Sequence, residues 1–436
     1  MMRPIARPGW LATLPVFVVI LVVMVAVLAG VARGDDTTAI PTTLLSGSAG
    51  GESSPAGSSP AGAQTAIFTV SAKDLGDFSA EPPTIISPSA ILINVDTGKV
   101  LYERAAHVRR PMASTTKIMT GILILESMDL NTRITVSKKA AETIEPKTWL
   151  KEGDVLTVEE LLYALLLRSA NSAAVALAEG HSGSVEVFVA LMNAKARELE
   201  MTDTKFVNPN GLDKTGHYST AADMASLARY AMANARFRSF VGTKSHTLSL
   251  PGRTAPLVIE NTNRLLGQVS WVTGVKTGLT PKAEQCFVGS GTKDGISVIS
   301  VVLGQPLPDI CFNESRALME YGFSQYRQVT LMDQGVQVAE AEVPYQLDGR
   351  VGLITAGTVE MELYKDEEVT TSIALDRPLA LPVKAGESFG RVVLTVRGKT
   401  VGSVNLVADR SFGETTLGSK LAYYWHRFAK WVGRVI

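Results

Sequence analysis

Ser114 and Lys117 lie three residues apart, directly ahead of the apolar runs Ile118-Met119 and Ile122-Leu123-Ile124-Leu125. Residues i and i+3 share a helical face, so the hydroxyl and the amine can touch. A serine hydroxyl is a weak nucleophile until a base removes its proton. A lysine becomes that base only when burial or nearby positive charge lowers its pKa from about 10.4. The N-terminal end of a buried helix offers both conditions, because its dipole also disfavours the ammonium. Taken alone, such a pair is more commonly an N-capping serine beside a surface lysine.

A second pair, Ser169 and Asn171, follows the apolar run from Leu161 to Leu167 and precedes a small-residue run from Ser172 to Ala178. It therefore sits where one helix ends and the next begins. There a hydroxyl can relay a proton and an amide can hold a substrate carbonyl, although in isolation capping is the commoner role. A third group, Lys276-Thr277-Gly278, lies ahead of the β-prone stretch Cys286–Gly289. On a strand edge, lysine can hold a carboxylate by charge and threonine by its hydroxyl. Gly278 removes a side chain where a peptide backbone must pair as an added strand. The residue order excludes a phosphate loop at this point. Gly398-Lys399-Thr400 has that loop's order but Val at position 393, so it reads as a hairpin turn. His107, His181, His217, His246 and His426 show no ligand spacing, and no metal or cofactor is expected.

Bringing the three groups together requires a particular architecture. The gaps, 55 residues from Ser114 to Ser169 and 107 from Ser169 to Lys276, leave room for a helical half between two sheet segments. Ala90–Asp96, the Thr97-Gly98 turn and Val100–Tyr102 read as a hairpin, and Ile296–Leu303 as a later strand. After Tyr321, alternating segments at 351–355, 359–364, 371–375 and 392–396 indicate a small all-β domain. An α+β multidomain chain is expected.

Ser-x-x-Lys, Ser-x-Asn and Lys-Thr-Gly in this order form the set carried by penicillin-binding proteins and serine β-lactamases. Further segments, Ala90–Thr120, Thr204–Asp213, His217–Asp223 and Asn261-Thr262-Asn263, extend the likeness. The chain resembles the low-molecular-mass penicillin-binding proteins, the serine-type D-Ala-D-Ala carboxypeptidases of bacterial cell walls. The resemblance implies a β-lactamase/transpeptidase-like catalytic domain over 85–325, built from an antiparallel sheet plus a helical subdomain. An all-β C-terminal domain over 326–416 and a terminal amphipathic helix follow. By resemblance, Ser114 is acylated, Lys117 deprotonates it and Ser169 assists proton transfer. Asn171, Lys276, Thr277 and Gly278 bind substrate, and the backbone N–H groups of Ser114 and Leu279 form the oxyanion hole. The implied substrates are peptidoglycan stem pentapeptides, and β-lactams would acylate the same serine.

Two positions depart from the family pattern. Ala170 replaces a frequent glycine, and Glu284 places a carboxylate near the anion-binding edge, where it either points outward or alters substrate preference. Three other functions draw on the same residues or fold. A DD-endopeptidase shares all the motifs. A class A-like β-lactamase is opposed by Glu198, Glu200 and Lys205, which lack its Glu-x-x-x-Asn pattern. An inactive cell-wall-binding scaffold is opposed by the intact motif residues.

Lys+Arg and Asp+Glu both number 42, so no net charge gathers nucleic acid. The two cysteines, Cys286 and Cys311, read as small buried apolar residues. From Trp10 to Ala32 the chain is uncharged for 23 residues, long enough to span a bilayer. Arg3 and Arg7 before it hold the N-terminus in the cytoplasm and send the rest outward. Residues 1–32 are thus expected to be a signal anchor or signal peptide, and 33–84 a disordered Ser/Gly/Pro linker. At 417–436, Leu421, Trp425, Phe428, Val432 and Val435 form an apolar stripe beside Lys420, Arg427, Lys430 and Arg434, suiting a helix that lies in a lipid headgroup layer. The expected location is the extracytoplasmic face of the cell membrane.

Overall fold

The computed structural model describes residues 42–44, 65–72, 80–144, 150–250, 256–343, 345–346 and 349–435. The expected membrane segment at 1–32 lies outside them. The chain divides into two units, one of residues 78–326 and the other of residues 327–436 joined by strands from before residue 77.

The first unit is built on a five-stranded antiparallel sheet ordered Val100–Arg104, Ser89–Asn94, Ile296–Gln305, Glu284–Lys293 and Val272–Thr280. Every residue of strand Ser89–Asn94 is buried, so both of its faces are covered. Helix Pro308–Ser324 packs against the strands at 284–293 and 296–305, and helix Ala221–Ala233 against those at 296–305 and 89–94. Strand Val272–Thr280, which carries Lys276, Thr277 and Gly278, is an edge strand.

The helical half is positioned by local signals. Thr157 accepts from the Glu160 N–H while the Glu160 side chain accepts from the Thr157 N–H, a reciprocal cap that starts helix Val158–Leu166. Its buried Leu161, Leu162, Leu165 and Leu166 face the core. Helix Asn171–Ser182 follows and stops at Gly183, whose φ of +74° suits a residue without a Cβ. Helix Lys117–Ser127 runs through this core, with Ile118, Met119, Ile122 and Ile124 buried.

Cys286 and Cys311 are buried and unbonded, and burial pushes the Cys286 thiol up to about 12. Glu284 adopts a φ of +56° at the hairpin after Thr280, with its side chain exposed, so it points outward.

The second unit is a seven-stranded antiparallel sheet ordered Thr42–Leu44, Gln337–Glu342, Arg350–Thr355, Lys399–Ala408, Ser388–Val396, Glu368–Leu375 and Thr65–Ser71. Gly398, with Arg397, makes the expected hairpin turn, both at positive φ. The expectation of a linker throughout 33–84 is corrected at both edges of this sheet. Thr65–Ser71 pairs with Glu368–Ile373, Val70 lying opposite Val369. Its sequence, Thr-Ala-Ile-Phe-Thr-Val-Ser, is β-branched and aromatic and fits a half-buried edge strand, unlike the Ser/Pro/Gly repeats before it.

The chain ends in helix Leu417–Val435. Tyr345 meets Tyr423 and Tyr424 near its start, while Trp425 and Trp431 stay 63% and 59% exposed. Among the described residues no single helix is long and apolar enough to cross a membrane.

Candidate active site

Ser114 lies in a 3-10 turn, Ala113–Thr116, that leads directly into helix Lys117–Ser127. Ala113 takes a φ of +48°, and its carbonyl accepts the Thr116 hydroxyl at 2.8 Å. Thr116 in turn meets His217 Nε2 at 2.9 Å. Because His217 Nδ1 accepts the Val207 N–H at 3.0 Å, Nε2 carries the ring hydrogen and donates it to Thr116. Burial pushes His217 down to about 4, which keeps this imidazole neutral. His217 is therefore a brace beneath the serine turn.

Lys117 is fully buried, and its Nζ stands 2.8 Å from Ser114 Oγ, 2.7 Å from Asn171 Oδ1 and 2.6 Å from the Asn210 carbonyl oxygen. Two of these three partners are carbonyl oxygens that can only accept. A neutral amine has two hydrogens and one lone pair. When its hydrogens go to those two carbonyls, the lone pair is left for the Ser114 hydroxyl, whose other acceptor, the Asn210 carbonyl, is farther away at 3.4 Å. The geometry thus supports proton removal from Ser114.

Asn171 opens helix Asn171–Ser182, with its Nδ2 donating to the Ile144 carbonyl at 2.7 Å. Ser169 precedes it by two residues, half-buried on the interhelical turn, with a φ of +66°. Ala170 beside them is buried, and its methyl is accommodated.

Gly278 brings the edge strand onto the serine turn. A Cβ there would lie 2.8 Å from the Ser114 nitrogen and 3.0 Å from the Ala113 Cβ, so only glycine permits this approach. Lys276 is buried, its Nζ donating to the Thr277 carbonyl at 2.9 Å, and desolvation pushes its pKa down to about 7. Thr277 is half-buried, and Leu279 is exposed one residue past Gly278.

Sequence reasoning missed the Asn210 carbonyl. A main-chain acceptor has no residue-type signature, but the Asn-Pro-Asn-Gly run at 208–211 was its available signal. Asn208 Oδ1 accepts the Gly211 N–H at 2.6 Å and Asn210 Oδ1 the Leu212 N–H at 3.1 Å, which curl this loop. Thr120 holds it down through the Pro209 carbonyl at 2.6 Å. Gly211, at a φ of +88°, would place a Cβ 2.0 Å from the Ala113 carbonyl oxygen. Glu198, one of the two glutamates set against the β-lactamase pattern, is exposed and ion-paired with Lys195 at 3.0 Å.

A family model described as D-alanyl-D-alanine carboxypeptidase matches residues 77–306, and one described as penicillin-binding protein 5, C-terminal domain, matches residues 326–414. The D-alanyl-D-alanine carboxypeptidase DacF of Bacillus subtilis is 35% identical over 321 residues, covering 72% of this chain and 82% of that relative. DacC of Escherichia coli is 31% identical, covering 81% and 92%. Among solved structures, the carboxypeptidase DacD of Francisella tularensis aligns with a TM-score of 0.56 at 25% identity, over 79% of this chain and 98% of that one. A DD-transpeptidase of Streptomyces aligns with a TM-score of 0.54 at 34% identity, over 56% and 100%. With its transpeptidase-like fold, its all-β C-terminal domain and these matches, the chain belongs to the D-alanyl-D-alanine carboxypeptidase family.

Proposed function

We propose that this serine D-Ala-D-Ala carboxypeptidase of bacterial cell-wall metabolism removes the terminal D-alanine of stem pentapeptides through an acyl-enzyme on Ser114. Ser114 Oγ bonds to the carbonyl carbon of the penultimate D-alanine as Lys117 takes the hydroxyl proton. The oxyanion is held by the backbone N–H groups of Ser114 and Leu279, donors of a kind worth about 2.7–4 kcal/mol each. The C–N bond then breaks, and the proton reaches the leaving amine with the help of Ser169. Water hydrolyses the ester and restores the hydroxyl. Lys276 and Thr277 seat the terminal carboxylate, Asn171 orients the substrate carbonyl, and Gly278 lets the peptide approach the edge strand. A β-lactam follows the same acylation, but its amine stays tethered, so release is slow. No metal or cofactor is required.

The observation that carries this reading is the set of contacts at Lys117 Nζ: 2.8 Å to Ser114 Oγ and 2.7 Å to Asn171 Oδ1. A location at the extracytoplasmic face of the membrane is supported by the N-terminal apolar run and by helix Leu417–Val435. The exposed Trp425 and Trp431 beside basic residues support that placement of the helix.

The test incubates the full chain with a pentapeptide muropeptide and measures free D-alanine and cross-link cleavage together. D-Alanine release that is lost in Lys117→Ala is expected. Cut dimers without free D-alanine would make the protein an endopeptidase, and fluorescent penicillin labelling that survives Ser114→Ala would overturn the nucleophile assignment.

A further inference from the structure

The segment Asn261-Thr262-Asn263 lies outside the three motifs, yet it touches one of them and the helix end just ahead of another. Thr262 Oγ1 is 2.6 Å from Thr277 Oγ1 and 3.3 Å from the Leu167 carbonyl oxygen, which also accepts the Thr262 N–H at 3.1 Å. Leu167 ends helix Val158–Leu166, two residues before Ser169. The segment is fixed on both sides of Thr262. Asn261 Nδ2 donates to the Thr243 carbonyl at 3.0 Å, and Asn263 Nδ2 to the Gly274 carbonyl at 3.0 Å. Its backbone therefore cannot drift, and a β-branched side chain has little χ1 freedom.

Hydrogen bookkeeping gives this contact a direction. Each hydroxyl owns one hydrogen. A carboxylate seated at Thr277 only accepts, so it takes the Thr277 hydrogen. The 2.6 Å contact then survives only if Thr262 donates to Thr277, exchanging its longer approach to Leu167 for the short one. The Leu167 carbonyl keeps the Thr262 N–H. A hydroxyl that accepts one hydrogen bond donates a stronger one. We infer that Thr262 is a positioning residue that commits the Thr277 hydroxyl to donate to the ligand's carboxylate, and so contributes to selection for a free C-terminal acid. The inference rests on the assignment of Lys276 and Thr277 as the carboxylate seat.

The experiment measures second-order acylation of the full chain by a penicillin with a free carboxylate and by its methyl ester. Thr262→Val should slow the free acid by up to about tenfold, the weight of the one neutral hydroxyl–hydroxyl bond that turns the Thr277 hydrogen toward the carboxylate, and leave the ester rate unchanged. Thr262→Ser should restore the preference. Equal slowing of both ligands, or a Thr262→Val variant that keeps its preference, overturns the inference. Thr277→Val separates this from the parent reading. If that variant loses the preference while Thr262→Val keeps it, the seat stands and the role of Thr262 falls. If Thr277→Val keeps it, the seat itself is wrong.

Discussion

The Asp213 carboxylate accepts the Thr280 hydroxyl at 2.7 Å, and its second oxygen accepts the Lys282 N–H at 3.0 Å. This pair joins the loop that presents the Asn210 carbonyl to Lys117 with the hairpin that follows Lys276-Thr277-Gly278. Asp213→Ala releases both donors and lets the two walls of the site move independently. An acylation rate lower by about tenfold is expected, with a small loss of stability, because misplacement by an ångström is costly in an aligned site. Stopped-flow acylation beside thermal unfolding checks this, and an unchanged rate would remove Asp213 from the account.

Lys276 has its own pH signature. Desolvation holds its pKa near 7, so the free protein loses the ammonium as pH rises through about 7, while a seated carboxylate favours keeping the proton. The preference for a free-acid over an esterified β-lactam should therefore decline above pH 7, by up to about tenfold per pH unit. The stability effect has the opposite sign. The unfolded chain binds more protons than the folded one between about 7 and the ordinary lysine range, so stability attributable to Lys276 rises with pH across that window. A preference that stays flat from pH 6 to 9 would show that Lys276 does not titrate there.

His217 acts at the acid end. With a pKa near 4 in the folded protein and about 6.5 when unfolded, it favours unfolding as pH falls through that interval. Its full cost is about 3 kcal/mol, reached below pH 4. His217→Gln should flatten this part of the stability profile while lowering stability near pH 7, where the bond to Thr116 is lost. Denaturant midpoints from pH 7 to 4 read both effects, and parallel profiles for the two proteins would contradict the assignment.

The chemistry was legible where it is written in side-chain types at short spacing. Ser114 and Lys117, one helical turn apart, had to meet if the helix formed, and they do at 2.8 Å. Gly278 was readable as a close approach because no other residue provides one, although its neighbour proved to be the serine turn as well as an open edge. The fold was legible where a β-branched apolar run is bounded by turn residues, as at Ile296–Leu303 after Asp294-Gly295. What stayed hidden depends on main-chain atoms or on contacts between distant segments. The Asn210 carbonyl has no side-chain signal, and Thr262 acquires its meaning only beside Thr277. Strand Thr65–Ser71 was masked by the low-complexity repeats in front of it, and its partner lies some 300 residues downstream.

The pairing of Thr65–Ser71 with Glu368–Ile373 bears on how the protein can be trimmed for study. A soluble form begun near residue 85 retains every catalytic side chain but strips both rims of the C-terminal sheet, Thr42–Leu44 and Thr65–Ser71, leaving unsatisfied amides and carbonyls that invite other copies to add on. Starting the polypeptide upstream of Thr42 keeps both rims sealed by their native neighbours. Clumping of the shorter product would then report missing β-strands and would say nothing against the enzyme.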